Sequence, residues 1–304
     1  MTSTVGESSV GQVALSRPWL AYSVLAVAVI CIAWSALFVR WAGVSGPASA
    51  FYRALVATLV LVPVWLIRGR RNRIGFRLVM LGVLAGVFFA FDLALFNSAV
   101  LDTSAANATL LGNNAPIIVG LGSWLLFGKP PRAIFWIGLA LALLGSAFIV
   151  GHDALNHANF GAGDAMAVGA SIFFAAYLLT IERVRPQMDT LTLTALAVTA
   201  SSVTLLLLCL IVRTPLTGYS MHAWMSLIGL GVVTQVGGYL AVTYALGHLP
   251  ATVTSVGVLA QAPLTALLAI PLLGEPLIAS QIAGGALVIT GIYIVNRRYG
   301  NYSS

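Results

Sequence analysis

Long apolar runs separated by short polar gaps dominate the chain. Ten stand out, at 19–40, 47–67, 76–98, 103–127, 131–151, 163–182, 190–212, 223–246, 250–273 and 277–296. Each is close to the roughly 20 residues that a helix needs to cross hydrocarbon. The gaps carry helix stoppers: Gly46-Pro47, Gly128-Lys129-Pro130-Pro131, Arg185-Pro186 and Gly274-Glu275-Pro276. The pattern predicts an all-α integral membrane protein with ten transmembrane helices and no separate soluble domain. Residues 1–18 form a polar tail without a basic n-region, and the next apolar run is too long for a signal peptide. That run is expected to be the first helix, kept in the mature protein.

Composition points the same way. Of 304 residues, 60% are hydrophobic and 8% charged, against roughly 25% charged in soluble domains. Mean hydropathy is +0.99. The net charge of +7 suggests nucleic acid at first, but the basic residues lie in the gaps rather than on one face, so no nucleic-acid partner is expected. They sort by membrane side instead. With the N-terminus cytoplasmic, twelve fall inside (Arg17, Arg68, Arg70, Arg71, Arg73, Arg77, Lys129, Arg132, Arg183, Arg185, Arg297, Arg298) and two outside (Arg40, Arg213). Such a bias implies an inner-membrane protein with both termini cytoplasmic. Cys31 and Cys209 sit in mid-run, without disulfide or metal-ligand spacing.

The chain also repeats itself. Shifted by 147, residues 78–116 lie on 225–263 without a gap: Gly82 meets Gly229, Ala94 meets Ala241, and Ala115-Pro116 meets Ala262-Pro263. After one deletion Gly128 meets Gly274, Pro130 meets Pro276 and Gly145 meets Gly291. Five helices is an odd number, so the halves are expected to insert with opposite orientation. Lys129 in the first half becomes Glu275 in the second, basic inside and acidic outside. The expected organisation is a tail (1–18), a first five-helix repeat (19–151), an outer linker (152–162), a second repeat (163–297) and a tail (298–304).

Trp34-Ser35, Phe51-Tyr52-Arg53-Ala54, Gly163-Asp164, Ala262-Pro263 and Leu273-Gly274-Glu275-Pro276 followed by Gly284 and Gly291 occur in an order and spacing that resembles the drug/metabolite transporter superfamily. Within it the chain resembles EamA-type exporters, and most of all those for amino acids, aromatic ones included. The resemblance implies a central cavity lined mainly by helices 3, 4, 8 and 9, and outward movement of amino acids or related small metabolites. Lys129 departs from the Glu of many relatives.

Polar groups inside a bilayer are costly and mark functional candidates. In the fourth run Asn107 and Asn114 are seven apart, as are their repeat counterparts Thr254 and Gln261 in the ninth. Phe88 and Asp92 lie one turn apart in the third run, opposite Gln235 and Tyr239 in the eighth. These eight residues are expected to line a substrate site, with Trp34, Asn113 and Tyr244 nearby. Amides and aromatic rings suit a zwitterion with a partly apolar side chain. Asp92 and Arg53 are the charged residues well within the spans, and either a coupling role or a structural ion pair between helices 2 and 3 fits them.

Gly161-Ala162-Gly163-Asp164 matches the G-x-G-D of intramembrane aspartyl proteases, but Asp164 also stands where a helix N-cap is wanted. His152, Asp153 and His157 share a short outer loop and are read as solvated. Gly82-x-x-x-Gly86 is read as helix packing rather than a dimer signature. No P-loop, HExxH or GxSxG occurs. The sequence therefore predicts a secondary transporter, not an enzyme, working without cofactor or metal, as a monomer or else a dimer in the lipid bilayer. A passive channel and the protease are the alternatives.

Overall fold

The computed structural model of the chain describes residues 18–68, 74–102, 105–128, 130–150, 161–273 and 279–299. Arg17, Arg70, Arg71, Arg73, Lys129, His152, Asp153, His157, Gly274-Glu275-Pro276 and both chain ends lie outside these residues. The described elements are helices, with no strand among them. We number the ten apolar ones α1 (Trp19–Ala42), α2 (Gly46–Arg68), α3 (Phe76–Asp102), α4 (Leu110–Phe127), α5 (Ala133–Ile149), α6 (Ala162–Val184), α7 (Thr190–Val212), α8 (Met221–Ala245), α9 (Ala251–Leu272) and α10 (Ala279–Arg297). Their outward faces are mostly apolar, with Ile67, Leu125 and Ile211 each more than three-quarters exposed, as contact with acyl chains requires.

Helix ends follow local chemistry. Gly43 ends α1 and Gly128 ends α4 in the left-handed region, at φ 59° and 64°, where a residue without Cβ is unstrained. Asp189 caps α7 by accepting from the Thr192 N–H at 3.0 Å, and Ser220 caps α8 by accepting from Ala223 at 3.2 Å. Gly161 occupies the N-cap of α6. Asp164 stands three residues in, not at the cap itself, and accepts the Gly161 N–H at 2.9 Å, so it satisfies one of the orphan donors of the helix start.

Packing shows the inversion directly. A Cβ on Gly138 would lie 2.7 Å from the Gly291 carbonyl oxygen, and one on Gly145 would lie 2.5 Å from that of Gly284. The repeat superposes Gly138 on Gly284 and Gly145 on Gly291, so each contact is the image of the other. Early residues of α5 meet late residues of α10, as in the isologous contact of a two-fold dimer, here within one chain. The other pairings obey the same operation. α3 packs on α6 as α8 packs on α1, α3 on α7 as α8 on α2, and α4 on α6 as α9 on α1. Gly86 faces α7, where the Ser201 hydroxyl donates to its carbonyl at 2.6 Å, so the Gly82–Gly86 pair serves packing within the chain.

Four helices are irregular near the centre. α1 breaks at Trp34, and the freed Ala33 carbonyl accepts from Thr265 of α9 at 2.9 Å. The first half's helix Ala105–Gly112 stops before Asn113-Asn114 and resumes at Ala115, and α9 likewise stops after Val258 and resumes at Gln261. Both breaks precede the repeated Ala-Pro, because Pro116 and Pro263 cannot donate to the turn before them. α8 runs as a π-helix from Leu230 to Tyr239, a rare geometry concentrated at functional sites. Its counterpart in α3 is regular.

Candidate functional site

These irregular stretches surround a cavity of about 290 Å³. Its wall takes Arg53 from α2, Asp92, Phe96 and Asn97 from α3, Asn113 from the break within α4, Phe174 from α6, Tyr239 from α8, and Ser255, Gln261 and Thr265 from α9. α1 adds Ser35 and Arg40, because the break at Trp34 turns the stretch after it inward. The first helix therefore contributes more than expected, and α8 contributes through Tyr239. Arg40, Val100, Ile149 and Gln281 stand where α1, α3 and α5 end and α10 begins, so the cavity reaches that end of the bundle.

The opposite end is closed. There the N-terminal half of α9 packs on α4 and on α6, whereas the symmetry-related pair, the start of the α4 region and the second half of α9, makes no comparable contact among the described residues. At the same end Arg185, just past α6, ties that helix to α8 within the second repeat. Its Nε donates to the Thr243 carbonyl at 3.0 Å and its Nη1 donates to that of Met188. Burial lowers the pKa of the guanidinium, opposed by Asp189 and Tyr244. Gly247 leaves room for it, since a Cβ there would lie 2.8 Å from Cζ.

Arg53 is the most constrained charge. It is 3% exposed. Its Nε donates to Gln235 Oε1 at 2.7 Å, its Nη1 donates to Ser35 Oγ at 3.1 Å, and its Cζ lies 5.1 Å from the centre of the Tyr239 ring. Asp92 faces the same cavity at 8% exposure, and no direct ion pair joins the two. Phe89 supports the aromatic side of the wall, 4.5 Å from Tyr239 and 4.6 Å from Tyr177 between ring centres.

Five of the expected residues, Arg53, Asp92, Asn113, Tyr239 and Gln261, thus meet at one cavity. The others stand elsewhere. Gln235 lies behind Arg53 as its acceptor. Asn114 turns onto its own helix, donating to the Leu110 and Leu111 carbonyls at 3.1 and 3.0 Å. Phe88 packs towards Phe173 and Trp34 towards Phe38, at 6.3 and 6.0 Å between ring centres. Thr254 is fully buried. Tyr244 stacks on His248, with ring centres 4.4 Å apart. The side chain of Asn107 lies outside the described residues. Ser35, Phe96, Asn97 and Phe174 were not anticipated. Ser35 carried a signal as part of Trp34-Ser35, and Asn97 as an amide about one turn beyond Asp92. Asn97 donates to Ser49 Oγ at 2.8 Å, tying α3 to α2. Among the described residues no group of three His, Cys, Asp or Glu could hold a metal.

Comparison with known proteins agrees with this architecture. A model of the EamA-like transporter family matches residues 19–151 and 161–297. An uncharacterized transporter of Bacillus subtilis (strain 168), YwfM, is 30% identical over 222 residues, covering 70% of this chain and 72% of that protein. An uncharacterized transporter of Archaeoglobus fulgidus is 27% identical over 258 residues, covering 82% and 87%. A crystal structure of another protein superposes over 95% of this chain and 100% of its own, with a TM-score of 0.77 at 19% identity, a likeness of fold. The protease alternative falls with these relatives and with the capping position of Asp164. On the family match, the relatives and the paired inverted halves, the chain belongs to the EamA-like transporter family.

Proposed function

We propose that the chain is a secondary transporter that exports amino acids or related small metabolites across the inner membrane by alternating access. The observation that carries this reading is the cavity at the interface of the two halves, sealed at the α4–α9 contact and reaching the other end. Secondary transporters built on inverted repeats place their site there and rock one half against the other. A seal across one end also argues against the passive channel, which needs a continuous path.

On the charge bias of the loops, the open end faces outward, the state that follows release of an exported substrate. Because helices of the two repeats, 19–151 and 163–297, pack on one another, the moving units are bundles that draw helices from both, and one copy of the chain holds a complete cavity, in keeping with a monomer. The cavity combines two cations (Arg40 near its mouth and Arg53 deeper), one carboxylate, amides and aromatic rings, a set suited to a small molecule with charged ends and an apolar body.

The test is counterflow in proteoliposomes preloaded with unlabelled amino acids. Labelled amino acid outside should accumulate transiently, faster than into liposomes lacking the protein. A flux indifferent to preloading would contradict the carrier. Counterflow by a cationic drug, with none by any amino acid, would contradict the substrate class.

A further inference from the structure

A buried N–H without an acceptor costs about 1–3 kcal/mol, and more when charged, so native proteins seldom keep one without a use. Two such groups among the described residues belong to side chains lining the cavity, Arg53 Nη2 and Asn113 Nδ2. Their residues are 3% and 5% exposed. Nε and Nη1 of Arg53 donate to Gln235 and Ser35, which with the Tyr239 ring beside it fixes the guanidinium plane and leaves Nη2 without an acceptor. Asp92 lies in the same wall, more than nine-tenths buried, with no hydrogen bond or ion pair among the described residues. The Arg53 guanidinium, with a spare donor, and the Asp92 carboxylate line one cavity and feel each other's charge without a direct ion pair. That arrangement fits a ligand that carries both opposite charges itself.

We propose that Arg53 Nη2 and Asn113 Nδ2 receive the carboxylate of a free α-amino acid while Asp92 receives its ammonium group. The substrate class is then the unblocked zwitterion, not an amine, an acid or a derivative capped at either end. Phe96 and Phe174 in the same wall meet its side chain. A bound carboxylate supplies acceptors for the two orphan donors, and charge-assisted hydrogen bonds of this kind are the stronger ones. This inference rests on the transporter reading above.

The test is binding to the purified full chain in lipid nanodiscs, with L-phenylalanine, 2-phenylethylamine, 3-phenylpropanoate and phenylalanine amide as probes. L-Phenylalanine should bind at least about 100-fold more tightly than any analogue that lacks one charge, which corresponds to about 2.7 kcal/mol. Asp92→Asn should weaken L-phenylalanine at least about tenfold yet leave 3-phenylpropanoate unchanged. Asn113→Ala should weaken both of these yet leave 2-phenylethylamine unchanged. It spares the bonds of Arg53 to Gln235 and Ser35, so it separates recognition from folding where Arg53→Gln would not. Amine or acid binding as tight as the zwitterion would overturn the proposal, as would variants that weaken every probe alike. If amino acids show counterflow while single-charge analogues compete equally, the two-ended site fails and the transporter reading stands. If no amino acid is bound or carried, both fail.

Discussion

At the scale of single residues, the site depends on how Arg53 is held. Gln235 supplies its one amide acceptor, across 182 residues of sequence, and hydrogen bonds to a buried charge contribute about 1.5–3 kcal/mol. Gln235→Leu should therefore lower stability by about that amount, read as a lower midpoint of thermal unfolding in detergent, and it should weaken substrate binding as the guanidinium loses its fixed plane. Asp164 makes the contrasting case. Its carboxylate caps α6 well away from the cavity, so Asp164→Asn should cost about 0.5–2 kcal/mol and leave counterflow rates unchanged. A loss of counterflow in a well-folded Asp164→Asn protein would give that residue a role the structure does not show. The candidates were only partly legible at this scale. Asp92 and Arg53 are conspicuous in any apolar run. The seven-residue spacing in both halves points to Asn114 as the lining residue with Asn113 nearby, yet the helix break at that point turns Asn114 onto its own carbonyls and leaves Asn113 in the cavity wall. A proline announces that carbonyls will be freed, but not which amide will take them.

At the scale of helices, the spans and their repeat could be read from the chain, whereas their irregularities could not. Apolar length and Gly/Pro punctuation located all ten helices. The π stretch of α8 had no signature, since Leu230–Tyr239 and its counterpart in α3 look equally helical; only the packing of Gln235 and Tyr239 around Arg53 gives the wider turn a purpose. Nor did the sequence announce the break at Trp34 that brings α1 into the cavity wall. The α5–α10 crossing, by contrast, follows from glycines that the repeat itself superposes. Gly138→Ala and Gly284→Ala occupy symmetry-related positions and should each cost about 1–3 kcal/mol through overpacking. Thermal unfolding of the two variants should give nearly equal losses. A loss at one position and none at the other would mean that the two sides of the crossing are not equivalent.

At the scale of the whole molecule, two halves of one design enclose a cavity that is open at one end and sealed at the other, although their helix pairings are related by a two-fold operation. That asymmetry is the mechanical content of the structure. On the alternating-access proposal, this arrangement has a second state, in which the start of the α4 region closes on the second half of α9 and the α4–α9 contact at the Arg185 end parts. The duplication made such a pair of states foreseeable; which one the molecule occupies depends on packing between residues more than 100 positions apart, and no local pattern records it. The most direct test places spin labels on exposed positions at the two ends, Leu101 with Leu272 and Leu126 with His248, in the full chain in nanodiscs. Distances are then measured by double electron–electron resonance with and without the amino acid that shows counterflow. The account predicts that substrate shortens the Leu101–Leu272 distance in part of the population while the Leu126–His248 distance lengthens. Distances that stay unchanged, or that lengthen together, would contradict it.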